Sequence, residues 1–128
     1  MPGPARAGVF VYAKDLERVA RFYENVLGMS RLHARDGIVV LESPDQQLLV
    51  HAIPERYAAD IVIETPAVRR EDTAIKFFFT VDSLDTAALV AAEGGGAIFD
   101  ERWNGPGFVA CNAMDPEGNV FQLREAIG

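Results

Sequence analysis

The sequence predicts an α+β fold made of two βαβββ modules. Each half of the chain carries one strand-like apolar segment, then one amphipathic helical segment, then three further strand-like segments. The halves align by a shift that places Phe10 on Phe78 and Gly28 on Gly96. The first strand of each half is apolar on both faces, which indicates that both faces of each sheet are covered. One helix per module can cover only one face of each sheet, so the other faces must be covered by each other, by a second chain or by a ligand, which is a first indication of an enclosed cavity.

The length of the chain, 128 residues, suits one domain with a substantial core. We divide this single domain, residues 1–128, into a first module at 7–53, a connector at 54–73 and a second module at 74–126. The composition, with 49% apolar and 24% charged residues, is ordinary for a globular protein.

The first module begins with AGVFVYA, a β-branched and aromatic segment that predicts a strand over residues 7–13. Apolar residues then recur at helical spacing, which predicts a helix between an N-cap at Asp15 and a stop at Gly28. Further strands are predicted over residues 30–34, 37–42 and 47–53, and turn residues between the last two favour a hairpin.

The second module repeats this order. A strand is predicted over residues 74–81, followed by a helix over 84–93 that Asp82 or Ser83 can cap and that three glycines end. Further strands are predicted over residues 97–101, 107–114 and 119–125, separated by Gly- and Pro-rich turns. The connector is expected to hold a short extended piece at 60–64.

Charge and composition exclude several classes of function. The net charge of −7 argues against nucleic acid as a partner. No apolar run approaches the roughly 18 residues of a membrane-spanning helix. The N-terminus also lacks the apolar segment of a secretory signal. We therefore expect a cytoplasmic protein that binds no membrane.

Two small features favour a structural role over a functional one. The basic pair Arg69 and Arg70 is flanked by Glu71 and Asp72, which favours a solvated loop over an electrostatic footprint. Cys111, the single cysteine, lies in an apolar segment and is predicted to be a buried packing residue.

Three stretches resemble motifs of the vicinal oxygen chelate superfamily, which includes glyoxalase I, bleomycin-resistance proteins and extradiol dioxygenases. VFVYAKDLERVARFYENVLGM is similar to the family's first strand and helix, and FFFTVDSLDTAALVAAEGG to their counterpart in the second module. DPEGNVFQL is similar to the closing turn and last strand. The resemblance covers nearly the whole chain and implies a glyoxalase/bleomycin-resistance-like fold, in which curved mixed sheets enclose a central cavity. It also implies a symmetric homodimer, with modules paired within one chain or shared between two.

The same resemblance assigns four inward positions that often hold a divalent metal in this family. On this sequence they fall on Gly8, His51, Lys76 and Gln122. Only His51 is a good ligand for such a metal. The ammonium group of Lys76, at about 4 Å and an effective dielectric near 20, would disfavour the metal by about 4 kcal/mol per unit of its charge. We therefore predict that the chain uses no metal and no other cofactor.

Residues two positions away from these four along a strand share their face of the sheet. The predicted ligand-binding residues are therefore Phe10, Tyr12, Leu49, His51, Lys76, Phe78, Trp103, Gln122 and Arg124. Trp103 belongs to this set because, by the resemblance, its segment borders the cavity mouth. Aromatic side chains with a few polar groups are the usual lining of a small-molecule site, although the same aromatic residues also suit a core or a dimer contact. His33, the other histidine, is expected at an exposed edge.

The resemblance and the replaced ligands favour a metal-free binding protein, similar to the drug-binding resistance proteins of the superfamily. Its partners would be a second copy and a polar or acidic aromatic ligand, held in the cavity between modules. One alternative is a metal-independent lyase or isomerase in which Lys76 or His51 acts as the catalytic base or as an electrostatic stabiliser. Another is a metal-dependent glyoxalase or dioxygenase whose ligands are displaced by one residue, with Glu42 or Glu125 as the nearest carboxylate.

Overall fold

The computed structural model describes residues 5–127 and confirms the predicted α+β fold class. The elements follow one another as β1 Gly8–Ala13, α1 Leu16–Leu27, β2 Ser30–Arg35, β3 Ile38–Glu42, β4 Gln47–Ala52, α2 Glu55–Ala58, β5 Phe78–Thr80, α3 Leu84–Glu93, β6 Ala97–Gly105, β7 Phe108–Met114 and β8 Val120–Ala126. Among the helices of this described part, none has the length and apolar character needed to cross a membrane.

The strands form two mixed sheets of four strands each, with the same topology. Sheet 1 has the order β1-β4-β3-β2 and sheet 2 the order β5-β8-β7-β6. In each sheet the first strand of the module pairs in parallel with the last, and the remaining pairs are antiparallel. Phe10 pairs with Leu49 and Phe78 with Gln122, so the repeat found in the sequence is also a repeat of strand position.

Both long helices lie where the sequence places them. The side chain of Asp15 accepts a hydrogen bond from the Arg18 amide at the start of α1, and Gly28 ends the helix with a left-handed φ of 64°. Helix α3 spans the predicted residues, with Ser83 accepting from the Thr86 amide at 3.1 Å. Local capping chemistry is thus enough to fix both helices.

One hydrophobic core joins the two modules. Helix α1 packs on its own sheet, and it also inserts two aromatic rings against sheet 2. The ring centroid of Tyr23 lies 5.3 Å from that of Phe121 and 6.0 Å from that of Phe77, while Phe22 lies 6.2 Å from Phe121. The helix side of both sheets is therefore covered within the chain.

The second module differs from the prediction at its first two strands. The strand predicted over 74–81 is reduced to Phe78–Thr80, so Lys76 lies in the segment before it. Strand β6 extends beyond its predicted end to Gly105, because its pairing with β7 resumes at Arg102 after an irregularity. That resumption depends on a distant strand, which local sequence does not reveal.

The connector also differs from the prediction. Residues 60–64 form no strand, and a short helix, Glu55–Ala58, precedes them instead. Pro54 stands at its start with a φ of −52°, close to the value at which the proline ring fixes the backbone for a helix. Further on, Arg70 forms an isolated parallel bridge with Asn119, which ties the connector to sheet 2.

Candidate functional site

The predicted site residues lie on the faces of the two sheets that are turned away from the core. In β1, buried Val11 alternates with Phe10 and Tyr12, which are 57% and 58% exposed. In β5, buried Phe79 follows Phe78, which is 49% exposed. We call these surfaces the open face of sheet 1 and the open face of sheet 2.

The open face of sheet 1 carries an aromatic cluster. The rings of Phe10 and Tyr12 stack with centroids 6.2 Å apart, and His51 lies 5.5 Å from Tyr12. Leu49, half-buried, pairs with Phe10 in the neighbouring strand. Nδ1 of His51 lies 2.9 Å from the carbonyl oxygen of Ala52, a contact that suits a proton on Nδ1 and leaves Nε2 free to accept.

Arg124 is held in place on the open face of sheet 2. Its Nε donates a hydrogen bond to Oε1 of Gln122 at 2.7 Å. Its guanidinium carbon lies 3.6 Å from the ring centroid of Phe78 and 4.2 Å from that of Phe108. These contacts are cation–π interactions, which favour a positive charge over an aromatic face. The arginine is therefore a fixed positive charge beside two exposed or half-buried rings.

Lys76 reaches across the same face. Its Nζ donates to Oδ1 of Asn112 at 3.1 Å, and the residue is exposed. Beside it lies a cleft of about 370 Å³. The lining of this cleft comprises Arg69, Arg70, Glu71, Thr73, Lys76, Phe99, Asn112 and Val120. The connector thus forms one wall of a site on sheet 2.

The two connector arginines are exposed, as expected, but they are not in a free loop. The guanidinium carbon of Arg69 lies 3.4 Å from the ring centroid of Phe99, and its Nη1 donates to Glu71 at 3.2 Å. The amide of Arg70 donates to the carbonyl oxygen of Gly118 at 2.8 Å. The interpretation as a solvated loop is therefore incomplete.

Trp103 is half-buried in β6 and lines a second cleft, of about 590 Å³. The other lining residues of this cleft are Arg69, Phe99, Asp100, Glu101 and Asn112. Since Arg69, Phe99 and Asn112 line both clefts, the two spaces adjoin and form one groove along sheet 2.

The structure divides the predicted ligand-binding residues into two groups. Phe10, Tyr12, Leu49 and His51 lie on sheet 1, whereas Lys76, Phe78, Trp103, Gln122 and Arg124 lie on or beside sheet 2. Within residues 5–127, no hydrogen bond, ion pair or aromatic contact links the side chains of one group to those of the other. The members of each group lie together on one sheet, but the two groups do not contact each other within one chain.

Three of the four positions that the family resemblance assigns to a metal do not offer suitable donors. Gly8 has no side chain, and Lys76 presents an ammonium group that bonds to an amide. The oxygen of Gln122 already accepts from Arg124, which holds a positive charge against it. The described residues contain no group of three or more His, Cys, Asp or Glu that could hold a metal. His51 alone is a good ligand, so these residues do not fit a divalent metal.

Sequence reasoning missed several residues of the site: Arg69, Arg70, Phe99, Phe108 and Asn112. Asn112 and Phe108 reach the site because β7 lies beside β8, where Asn112 pairs with Gln122. Strand alternation could have predicted both residues, since they share the strand face opposite to buried Cys111. Cys111 is a buried packing residue, as predicted, and burial raises the pKa of its thiol. His33 is exposed on edge strand β2, also as predicted.

Comparisons with known proteins agree with this architecture. A family model described as a glyoxalase-like domain matches residues 8–124. Among curated proteins, none matches the chain significantly. A structure of a glyoxalase/bleomycin resistance protein/dioxygenase family enzyme from Burkholderia phytofirmans is similar, with a TM-score of 0.68, 20% identity, and coverage of 94% of this chain and 97% of the other.

Two further solved structures are similar. One is a glyoxalase/bleomycin resistance protein from Albidiferax ferrireducens, with a TM-score of 0.68, 19% identity, and coverage of 94% of this chain and 98% of the other. Another is the fosfomycin resistance protein FosX from Listeria monocytogenes, with a TM-score of 0.65, 12% identity, and coverage of 94% and 90%. At such identities these likenesses establish the fold alone. With the family match over nearly its whole length, the chain belongs to the glyoxalase-like domain family, within the vicinal oxygen chelate superfamily.

Proposed function

We propose that this chain binds a small polar or acidic aromatic molecule without a metal, on the open face of sheet 2. One observation carries the proposal. At the position that the resemblance assigns to the last metal ligand, Gln122 accepts a hydrogen bond from Arg124 at 2.7 Å. A guanidinium group can pair in bidentate fashion with a carboxylate or phosphate-type group, so Arg124 supplies the positive charge that a metal would otherwise bring.

The surroundings of Arg124 favour an aromatic ligand. Phe78 is 49% exposed, and Phe108 is half-buried beside it. A planar ligand that packs on the surface of these rings left free by Arg124 would bury apolar surface, at about 25 cal/mol per Å² removed from water. Because the rings already support Arg124, the charge and the apolar contact lie side by side. This combination of a few polar groups among aromatic side chains is typical of small-molecule sites.

We further propose that a second copy of the chain completes the site as a homodimer. Phe10 and Tyr12 leave more than half of their surface exposed on the open face of sheet 1. Strands β1 and β5 are edge strands of their sheets, and such edges tend to be covered or paired. If sheet 1 of one copy covers sheet 2 of the other, Tyr12 and His51 come to the ligand on Arg124. Twofold symmetry would give two equal sites.

A binding role suits Lys76 better than a role as a catalytic base. Lysine bases work where burial strips water from the ammonium group. Lys76 is exposed and bonds to the neutral amide of Asn112. It is therefore placed to attract an acidic group rather than to remove a proton.

A calorimetric titration with small aromatic acids tests the proposal, using benzoate, salicylate and phenylphosphonate as probes. We expect at least one probe to bind the wild-type chain and to bind Arg124→Gln at least about tenfold more weakly, since hydrogen bonds to charged groups contribute about 1.5–3 kcal/mol. Arg21→Gln, which removes the same charge from helix α1, should bind as the wild type does. Absence of binding by all three probes, or equal binding by Arg124→Gln, would overturn the proposal.

A further inference from the structure

The groove along the open face of sheet 2 has ends of opposite charge. Arg70 and Lys76 lie at one end, in the cleft of about 370 Å³. Asp100 and Glu101 lie at the other, in the adjoining cleft of about 590 Å³. Phe99 lines both clefts, so an aromatic ring lies between the two ends. The net charge of −7 for the whole chain gives no sign of this separation of positive and negative groups along the groove.

The positive end has a surplus of charge that the chain does not neutralise. Arg69 pairs with Glu71 at 3.2 Å, and both side chains remain exposed. Within residues 5–127, by contrast, Arg70 and Lys76 have no ion pair with a carboxylate, and Lys76 bonds to the amide of Asn112. Thr73 also lines this end, and a threonine hydroxyl can donate a hydrogen bond. Two cations together with neutral hydrogen-bond donors can bind an oxyanion.

The backbone fixes the position of Arg70. Its amide donates to Gly118 at 2.8 Å, and its strand-like bridge to Asn119 runs in parallel. Gly118 has a φ of 89°, and a Cβ there would overlap the carbonyl oxygen of Val68. The connector therefore lies directly on the closing turn of the second module. The backbone of Arg70 is therefore already ordered before a ligand binds, and only its side chain would lose freedom on binding.

The middle and far end of the groove restrict the rest of the ligand. The guanidinium group of Arg69 lies 3.4 Å from the ring centroid of Phe99, and half-buried Trp103 lines the same cleft as Phe99. Planar apolar groups pack well on such rings. The carboxylates of Asp100 and Glu101 would repel a second anionic group.

We propose that this groove is a subsite for a ligand that carries one oxyanion group on a planar apolar body. The oxyanion, a carboxylate, phosphate or phosphonate, lies at Arg70 and Lys76, and the body lies along Phe99 towards Trp103. This subsite is separate from the one at Arg124, and each would hold the oxyanion of its own ligand molecule. The inference deepens the proposed function and rests on it only in placing a ligand on sheet 2. It assigns a role to the connector, which is absent from the site predicted by the sequence.

Titrations with phenylphosphonate and inorganic phosphate test the subsite, on full-length chain dialysed against a chelator. We expect phenylphosphonate to bind the wild type at two sites, one of which weakens at least about tenfold in Arg70→Gln and in Lys76→Gln, and the other in Arg124→Gln. Inorganic phosphate, which lacks the apolar body, should bind more weakly than phenylphosphonate. Affinity should fall as salt rises, because exposed charges are screened. The matched control, Arg21→Gln, should leave both affinities unchanged.

Three results would overturn the subsite: no binding of phenylphosphonate by the wild type, equal binding by Arg70→Gln, or an equal loss in Arg21→Gln. Phosphate that binds as tightly as phenylphosphonate would contradict the role of Phe99. Different results would refute the proposed function. A tightly bound metal, or an Arg124→Gln variant with unchanged affinity, would refute that function without removing a dependence on Arg70.

Discussion

The hydroxyl of Tyr23 in helix α1 donates a hydrogen bond to Oδ2 of Asp115 at 2.7 Å, and both residues are fully buried. Asp115 opens the closing turn of the second module. Its carboxylate also accepts from the Glu117 amide at 2.8 Å, and from the Asn119 amide and side chain at 3.1 and 2.8 Å. The turn whose sequence helps to reveal the fold therefore also fastens the helix of one module to the sheet of the other.

Replacing Tyr23 by phenylalanine should lower the free energy of unfolding by about 1–3 kcal/mol, since a buried carboxylate would lose one of its donors. Urea denaturation measures this change. Tyr57→Phe is the matched control, because Tyr57 is 57% exposed and its hydroxyl has no hydrogen-bond partner within the described residues. A Tyr23→Phe variant as stable as Tyr57→Phe would show that the contact contributes nothing.

Alkaline pH should weaken the same contact. Burial raises the pKa of Tyr23 well above its ordinary value of 10.0, and the negative charge of Asp115 adds to the effect. The unfolded chain therefore loses this proton at lower pH than the folded chain. The stabilisation is fully present below the ordinary tyrosine pKa and falls as pH rises from about 10 towards the folded pKa. Denaturation of wild type and Tyr23→Phe between about pH 8 and pH 11 should show their difference shrinking above pH 10, whereas a constant difference would contradict this explanation.

A second junction between the modules should be equally sensitive. The carboxylate of Glu117, 3% exposed, accepts from the amides of Lys14 and Asp15 at 2.8 and 2.7 Å. Glu117→Gln would present an NH₂ group to one of these donors, at an expected cost of about 1–3 kcal/mol. Glu93→Gln, at the exposed end of α3, is the control and should change stability little. Urea midpoints that do not separate the two variants would count against the role of Glu117.

The proposed homodimer makes a prediction about exposed apolar residues. Phe10→Lys should dissociate the dimer, since it places a charge where we expect the partner to cover sheet 1. Leu89→Lys alters a residue that is 69% exposed on α3, outside both open faces, and should leave the dimer intact. Sedimentation equilibrium should show two chains of 14.0 kDa for wild type and Leu89→Lys. A monomeric wild type at tens of micromolar, or dissociation by Leu89→Lys, would contradict the proposed interface.

The sequence predicts secondary structure correctly where the contacts that fix an element lie within a few residues of it. Asp15, Gly28 and Ser83 cap or end the helices by contacts within a few residues, so their spacing was enough to predict both helices. At Lys76 the sequence pattern predicts a strand, whereas the structure places this residue before strand β5. Strand length depends on the partner strand, and β5 pairs with β8 over only three residues.

The candidate site shows the same limit. Strand alternation from the positions that the family resemblance assigns predicts Phe10, Tyr12 and Phe78 as site residues, and the structure leaves all three exposed on the open faces. The acidic sequence neighbours of Arg70, Glu71 and Asp72, favour a solvated loop rather than a binding site. Its spatial neighbours are the turn at Gly118 and the cleft beside Lys76, positions that depend on the path of the connector. Contacts between distant segments are what a short motif cannot encode.

Metal analysis of the chain purified without chelator tests the central claim most directly. Because Gln122 is engaged by Arg124, and Lys76 and Gly8 provide no ligand, we expect far less than one divalent ion per chain. We also expect an added divalent metal to leave both the melting temperature and the affinity for phenylphosphonate unchanged. One tightly bound divalent ion per chain, or a ligand affinity that depends on added metal, would contradict metal-free binding.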